Sequence, residues 1–203
     1  IIVTSALEQS LCEVLSATPH DKFFVLTDET TLRLCWPRIS SCASLRDAVL
    51  ITIGSTDTHK TVDSLIQVWE ALSSKGGSRK SLMINLGGGM ITDLGGFAAS
   101  TFKRGIPYIN IPTTLLSIVD AAVGGKTGIN FNGLKNEVGV FNPALTVLIC
   151  TDLLQTLDSA NMRSGYAEML KHGLISDVSH WAELLRFDLS ASDYRKLQDL
   201  AAN

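Results

Sequence analysis

The chain has 203 residues, enough for one substantial core with part of a second domain. Its 17 Lys and Arg against 20 Asp and Glu give a formal net charge of −3, which excludes an electrostatic nucleic-acid footprint but leaves room for a small anionic ligand opposed by local lysines. No apolar stretch approaches the roughly 18 residues that a membrane span needs, and no charged-then-apolar signal opens the chain, so a soluble protein without a membrane partner is expected.

Short β-rich runs alternate with stretches of helical period. A helix is predicted near 5–16, strands at FFVLTD (23–28) and AVLITIG (48–54), and a helix near 58–74. SSKGGSRK (73–80) reads as a solvated loop, followed by a strand at SLMINLG (81–87) and a helix over 91–102. A strand at YINIP (108–112), a helix over 113–122 and a strand at LTVLIC (145–150) complete the rhythm. This βαβα order predicts an α/β fold, a mostly parallel sheet with flanking helices that binds ligands at the carboxyl ends of its strands. Beyond about residue 155 the segments near 160–175, 178–187 and 191–202 are all helical. An α/β domain over 1–155 and the start of an all-helical domain over 156–203 are therefore expected, and an opening Ile1 with a close at Asn203 inside a helical pattern points to a fragment. Cys12, Cys35, Cys42 and Cys150 show no C-x-x-C spacing and lie among apolar or helical patterns. Reduced structural thiols, and hence the cytoplasm, are expected rather than disulfides or metal ligands.

Three clusters carry chemistry. INLGGGMITDLGGFA (84–98) sets its glycines after a strand and before a helix, where backbone N–H groups and a helix N-terminus can receive a phosphate. The spacing is not G-x-G-x-x-G, so a phosphate cradle and a plain tight turn both remain open. Asp93 in the early helix would also suit the helix dipole. IPTTLLSIVDAAVGGKTGINFNGLKNEVGVF (111–141) joins Thr113, Thr114, Asp120, Lys126, Asn130, Lys135 and Asn136. Lysines offer point charge and asparagines paired donors and acceptors, a set suited to a substrate bearing phosphate and hydroxyl groups. In RSGYAEMLKHGLI (163–175) Glu168 shares a helical face with Lys171 and His172. Metal ligation and a surface ion pair both fit that spacing.

Together GGGMITDLGGFAASTFKRG, IPTTLLSIVDAAVGGKTGIN and GYAEMLKHG resemble the 3-dehydroquinate synthase family, and the resemblance runs over nearly the whole chain. It implies a Rossmann-like NAD-binding domain followed by a helical domain, a homodimer, and a divalent metal, zinc or cobalt. By motif match, Asp28 resembles the adenosine-ribose contact and Asp57 and Lys60 the acid and lysine near the cofactor. Gly88, Gly89 and Met90 resemble the backbone against the pyrophosphate, Asp93 the carboxylate near the nicotinamide, and Thr113, Thr114 and Thr156 further cofactor contacts. Asp120, Lys126, Lys135, Asn136 and Lys171 match substrate residues, with Lys126, Lys171 and Asp120 in catalytic roles. Arg104 resembles an arginine that reaches a neighbouring subunit's substrate phosphate, and Glu168 a metal ligand, whereas His172 matches no ligand.

The implied reaction converts 3-deoxy-D-arabino-heptulosonate 7-phosphate to 3-dehydroquinate and phosphate. It proceeds by transient NAD-dependent oxidation, elimination, re-reduction and intramolecular aldol closure. Two departures stand out: Ala121 replaces a usual Ser, and NGLKN (132–136) replaces a Pro-Leu-Gly-Lys-Asn run. The family's G-H-T-x-G-H ligand motif is not in the chain, and His20, His59 and His180 lie outside any matching motif. A related sugar-phosphate cyclase, a metal-dependent polyol dehydrogenase and a catalytically incomplete NAD-binding fragment are the alternatives.

Overall fold

The computed structural model describes residues 1–191 and 193–202, so Ser192 and Asn203, both within or beside the last predicted helix, lie outside the described residues. Elements follow in the order β1 (Ile2–Val3), α1 (Leu7–Ala17), β2 (Phe23–Asp28), α2 (Glu29–Leu34), β3 (Val49–Ile53), α3 (Val62–Ser74), β4 (Leu82–Gly87) and α4 (Gly89–Thr101). Then come β5 (Tyr108–Pro112), a π-helical turn (Ser117–Ala121), β6 (Lys126–Phe131), β7 (Leu134–Phe141), β8 (Thr146–Ile149), α5 (Ser159–Ser176), α6 (Val178–Arg186) and α7 (Tyr194–Ala202).

Six strands form one sheet in the order β1-β8-β5-β4-β2-β3, and every pairing in it is parallel. β2 and β4 are buried along their full length, as continuous apolar runs between two helical layers require. Alternation divides the core: Phe23 and Val25 join α1 residues Leu7, Leu11 and Leu15 on one face. Phe24 and Leu26 join α3 and α4 on the other. The chain leaves β2 toward β3 and leaves β4 toward β5, so the crevice at the carboxyl ends of adjacent β2 and β4 is a topological switch point. A third cluster packs Leu115, Ile118, Val147 and Ile149 against Met169, Leu184, Leu197 and Leu200, which seats the helical segment on the far side of the sheet edge.

Two findings depart from expectation. Residues 126–141, where no strand is predicted, form an antiparallel hairpin with Asn132 at φ 49° and Gly133 at φ 78° as its turn. Both central residues at positive φ match the twist of the flanking strands. The second departure concerns the thiols: Cys12 and Cys42 are disulfide-bonded, while Cys35 and Cys150 are free and buried. They lie 30 residues apart, so no sequence spacing announces the pair; packing of α1 against the 3-10 turn Ala43–Leu45 beside Cys42 creates it. Among the described residues no helix is long and apolar enough to cross a membrane.

Candidate functional site

Gly88 caps α4 with no side chain bonded to the helix start, so the first backbone N–H groups and the positive end of the dipole face the switch point. The glycines are bare for a second reason. A Cβ on Gly88 would lie 2.9 Å from Thr114 Cγ2, and one on Gly89 3.3 Å from Ala121 Cβ, so the segment after β5 packs directly on this turn. Thr113 N–H donates to Gly87 O at 3.0 Å, which locks the two segments together. Thr114 and Ser117 form a reciprocal box, Ser117 N–H donating to Thr114 Oγ1 at 3.2 Å and Ser117 Oγ–H to Thr114 O at 2.9 Å. Across the crevice Asp28 ends β2 and caps α2: its Oδ1 accepts from Thr30 and Thr31 N–H, each at 2.8 Å. One carboxylate oxygen is thus committed to the fold, leaving Oδ2 for a ligand hydroxyl.

Lys60 is the hub of the site. Only 4 % exposed, it reaches Asp93 Oδ2 at 2.5 Å and donates to Asn136 Oδ1. Asn136 adopts φ 55° in β7, and this left-handed residue, beside a break in the β6–β7 register, turns its side chain onto Lys60. The hairpin is fastened to the same segment twice more, Asn130 N–H donating to Lys60 O at 2.8 Å and Lys135 Nζ meeting Asp57 Oδ2 at 2.8 Å. Within the hairpin, Asn130 Oδ1 accepts from Asn136 N–H at 3.0 Å. Burial pushes the Asp93 carboxyl above the ordinary carboxylate range, against the pull of the Lys60 charge. The hydrogen bond from Lys135 holds Asp57 below it.

Beside this hub a cavity of about 360 Å³ is lined by Asp93, Asp120, Lys126, Asn136 and Glu137. Lys126 Nζ stands 3.4 Å from Asp120 Oδ1. A phosphorylated polyol needs charge neutralisation and hydroxyl acceptors, and both are present here. Four of the residues expected for substrate or nicotinamide therefore meet around one space. Lys135 approaches through Asp57, whereas Arg104 lines a separate cavity of about 540 Å³ with Phe141, Pro143 and Leu145. Thr156 is exposed and donates to Leu153 O at 3.1 Å. Asn130 and Glu137 belong to the site although motif matching gave neither a role; the Asn-Gly pair at 132–133 was the sequence signal for the hairpin that carries them.

On α5, Lys171 donates to Glu168 Oε1, and His172 Nε2 lies 3.2 Å from the same oxygen. Among the described residues no three His, Cys, Asp or Glu side chains come together as a metal site. A catalytic zinc takes three protein ligands, so Glu168 offers one donor of an incomplete set among the described residues. The uncapped α4 start and close-packed glycines do suit a dinucleotide pyrophosphate.

Residues 50–164 match the family model for the N-terminal part of 3-dehydroquinate synthase. The 3-dehydroquinate synthase of Parabacteroides distasonis is 52% identical over 98% of this chain, which spans 57% of that relative's length. Among solved structures, 2-epi-5-epi-valiolone synthase from Streptomyces hygroscopicus, with NAD+ and Zn2+ bound, superposes with a TM-score of 0.80 at 27% identity over 98% of this chain and 59% of its own. A 2-deoxy-scyllo-inosose synthase complexed with carbaglucose-6-phosphate, NAD+ and Co2+ gives a TM-score of 0.84 at 20% identity over 98% and 55%, a likeness of fold. Motif order, sheet topology and these identities place the chain in the 3-dehydroquinate synthase family.

Proposed function

We propose that this chain is the NAD-binding part of a 3-dehydroquinate synthase, with residues 1–155 as the cofactor domain and 156–203 as the beginning of the metal and substrate domain. The full-length protein would act as a cytoplasmic homodimer. The observation that carries this reading is the meeting of Asp93, Asp120, Lys126 and Asn136 around one cavity at the carboxyl ends of the strands, next to an uncapped glycine-rich helix start. NAD, when bound, would accept a hydride from a substrate alcohol and later return it.

The α4 N–H groups and the bare turn at Gly88, Gly89 and Met90 hold the pyrophosphate, while Asp28 Oδ2 takes a ribose hydroxyl. Asp57, Thr113, Thr114 and Thr156 complete the cofactor's surroundings. Lys60 fixes Asp93 and Asn136 relative to one another, so cofactor and sugar are oriented by one buried cation. Lys126 neutralises the substrate's anionic group and Asp120 orients that ammonium; Lys135 and Lys171 add charge where phosphate leaves. Glu168 is proposed as a metal ligand. Arg104, set apart from the main cavity on an exposed face, is proposed to serve the partner subunit's site.

The test is phosphate release and dehydroquinate formation from 3-deoxy-D-arabino-heptulosonate 7-phosphate by the full-length protein with NAD and zinc, run beside glucose 6-phosphate. Release in step with dehydroquinate, with NAD oxidised at the end, is the expected result. Turnover of the hexose phosphate alone would replace the synthase with another sugar-phosphate cyclase.

A further inference from the structure

Asn85 in β4 and Asn110 in β5 are paired across the ladder, 0 % and 3 % exposed, and their side chains hydrogen-bond to each other and to Ala122 rather than to the cofactor and substrate residues named above. Asn85 Nδ2 donates to Asn110 Oδ1 at 2.9 Å, and Asn110 Nδ2 donates to the backbone oxygen of Ala122 at 3.1 Å. The direction is fixed, because a carbonyl can only accept; Asn110 must present its amide to Ala122 and its oxygen to Asn85. Ala122 closes the π-helical turn, its own N–H donating to Ser117 O at 2.9 Å. The other end of the chain is unsatisfied. Among the described residues Asn85 Oδ1 is buried without a hydrogen-bond partner, and it faces Gly95 of α4, where a Cβ would stand 2.1 Å from it.

A buried, unpartnered oxygen is costly, and replacing both partners by leucine would remove that cost. What the pair secures is geometry. It spans from α4, which carries Asp93, to the wide turn that carries Asp120. A π turn holds one residue more than an α turn, so relaxation to α geometry would swing the side chains within and after it by up to about 100°. Asp120 would then leave the cavity and Lys126.

Resting on the synthase reading, we propose that Asn110, oriented by Asn85, is a positioning residue that locks the π turn and so aims Asp120 into the substrate cavity. The test compares Asn110→Leu with Asn85→Leu/Asn110→Leu in the full-length protein. Both variants should lose about tenfold in kcat/KM for the heptulosonate phosphate, the factor one buried hydrogen bond supplies, with NAD affinity within about twofold. Backbone amides of 117–123 should exchange about tenfold faster with solvent while β4 stays protected. The double variant, free of the orphaned partner, should regain melting temperature but not kcat/KM. Recovery of kcat/KM together with stability would overturn the proposal, as would unchanged exchange over 117–123. Faster exchange in a protein whose wild type releases no phosphate would uphold the lock and sink the synthase reading instead.

Discussion

Lys60 and Asp93 place two opposite charges where water scarcely reaches, and the consequences differ for the two partners. Asp93→Asn leaves the ammonium buried beside neutral partners but also relieves a carboxylate that burial penalises, so the two effects oppose one another and stability should shift by less than about 2 kcal/mol in chemical denaturation. The acid itself is penalised by burial. Its folded pKa is raised, so its contribution to stability is greatest below the ordinary carboxylate pKa of 3.8 and declines as pH rises through the raised value. A carboxyl-resolved NMR titration should find Asp93 titrating above 3.8; a value below it would mean that the Lys60 charge outweighs burial. Lys126 is different, being largely exposed and held only by Asp120 at 3.4 Å. Lys126→Ala should leave the melting temperature nearly unchanged, and NAD affinity with it, while kcat/KM for the phosphorylated substrate drops roughly 30-fold, the range of one charge-assisted hydrogen bond. A loss confined to NAD affinity would remove Lys126 from the substrate site.

At the level of elements, α4 is built around absent side chains. Gly95→Ala would gain about 1 kcal/mol of helix propensity. The new methyl would meet Asn85 Oδ1 at 2.1 Å and Leu26 Cδ2 at 2.9 Å in a core with no room, so a net loss of about 1–2 kcal/mol is expected by thermal or chemical unfolding. The strands of the main sheet were readable because runs such as FFVLTD and SLMINLG are apolar on both faces, and the observed β2 and β4 fall within a residue of the expected bounds. The hairpin was not, because β7 is exposed along its whole length and Asn136 breaks its alternation at a left-handed φ. Period two is a burial signal, and no residue of β7 is buried. Short α2 also escaped, since its start is set by the Asp28 cap rather than by an apolar stripe. The same limit applies to the site. Asp93, Lys126 and Asn136 could be named from motifs, but their meeting depends on a hairpin folding back over residues 57–60, which only the turn at Asn132 and Gly133 foretells.

For the whole molecule, the Cys12–Cys42 bond closes a 30-residue loop that ties α1 to the segment after α2. Loop entropy assigns such a closure about 3–4 kcal/mol, so reduction should lower the melting temperature, and thiol titration of the unfolded, unreduced chain should find two free cysteines rather than four. Four would show the pair to be reduced in solution.

The sheet order has a consequence measured in time. Ile2 pairs with Leu148, so β1 is synthesised about 145 residues before β8, its neighbour in the sheet. At roughly 15 residues per second the segment waits on the order of ten seconds, with two apolar residues and an open strand edge unpaired. β1 is only two residues long and half exposed, which makes it a poor template for the wrong partner during that interval. β1 is made long before it can be paired, and its brevity is what makes the delay safe.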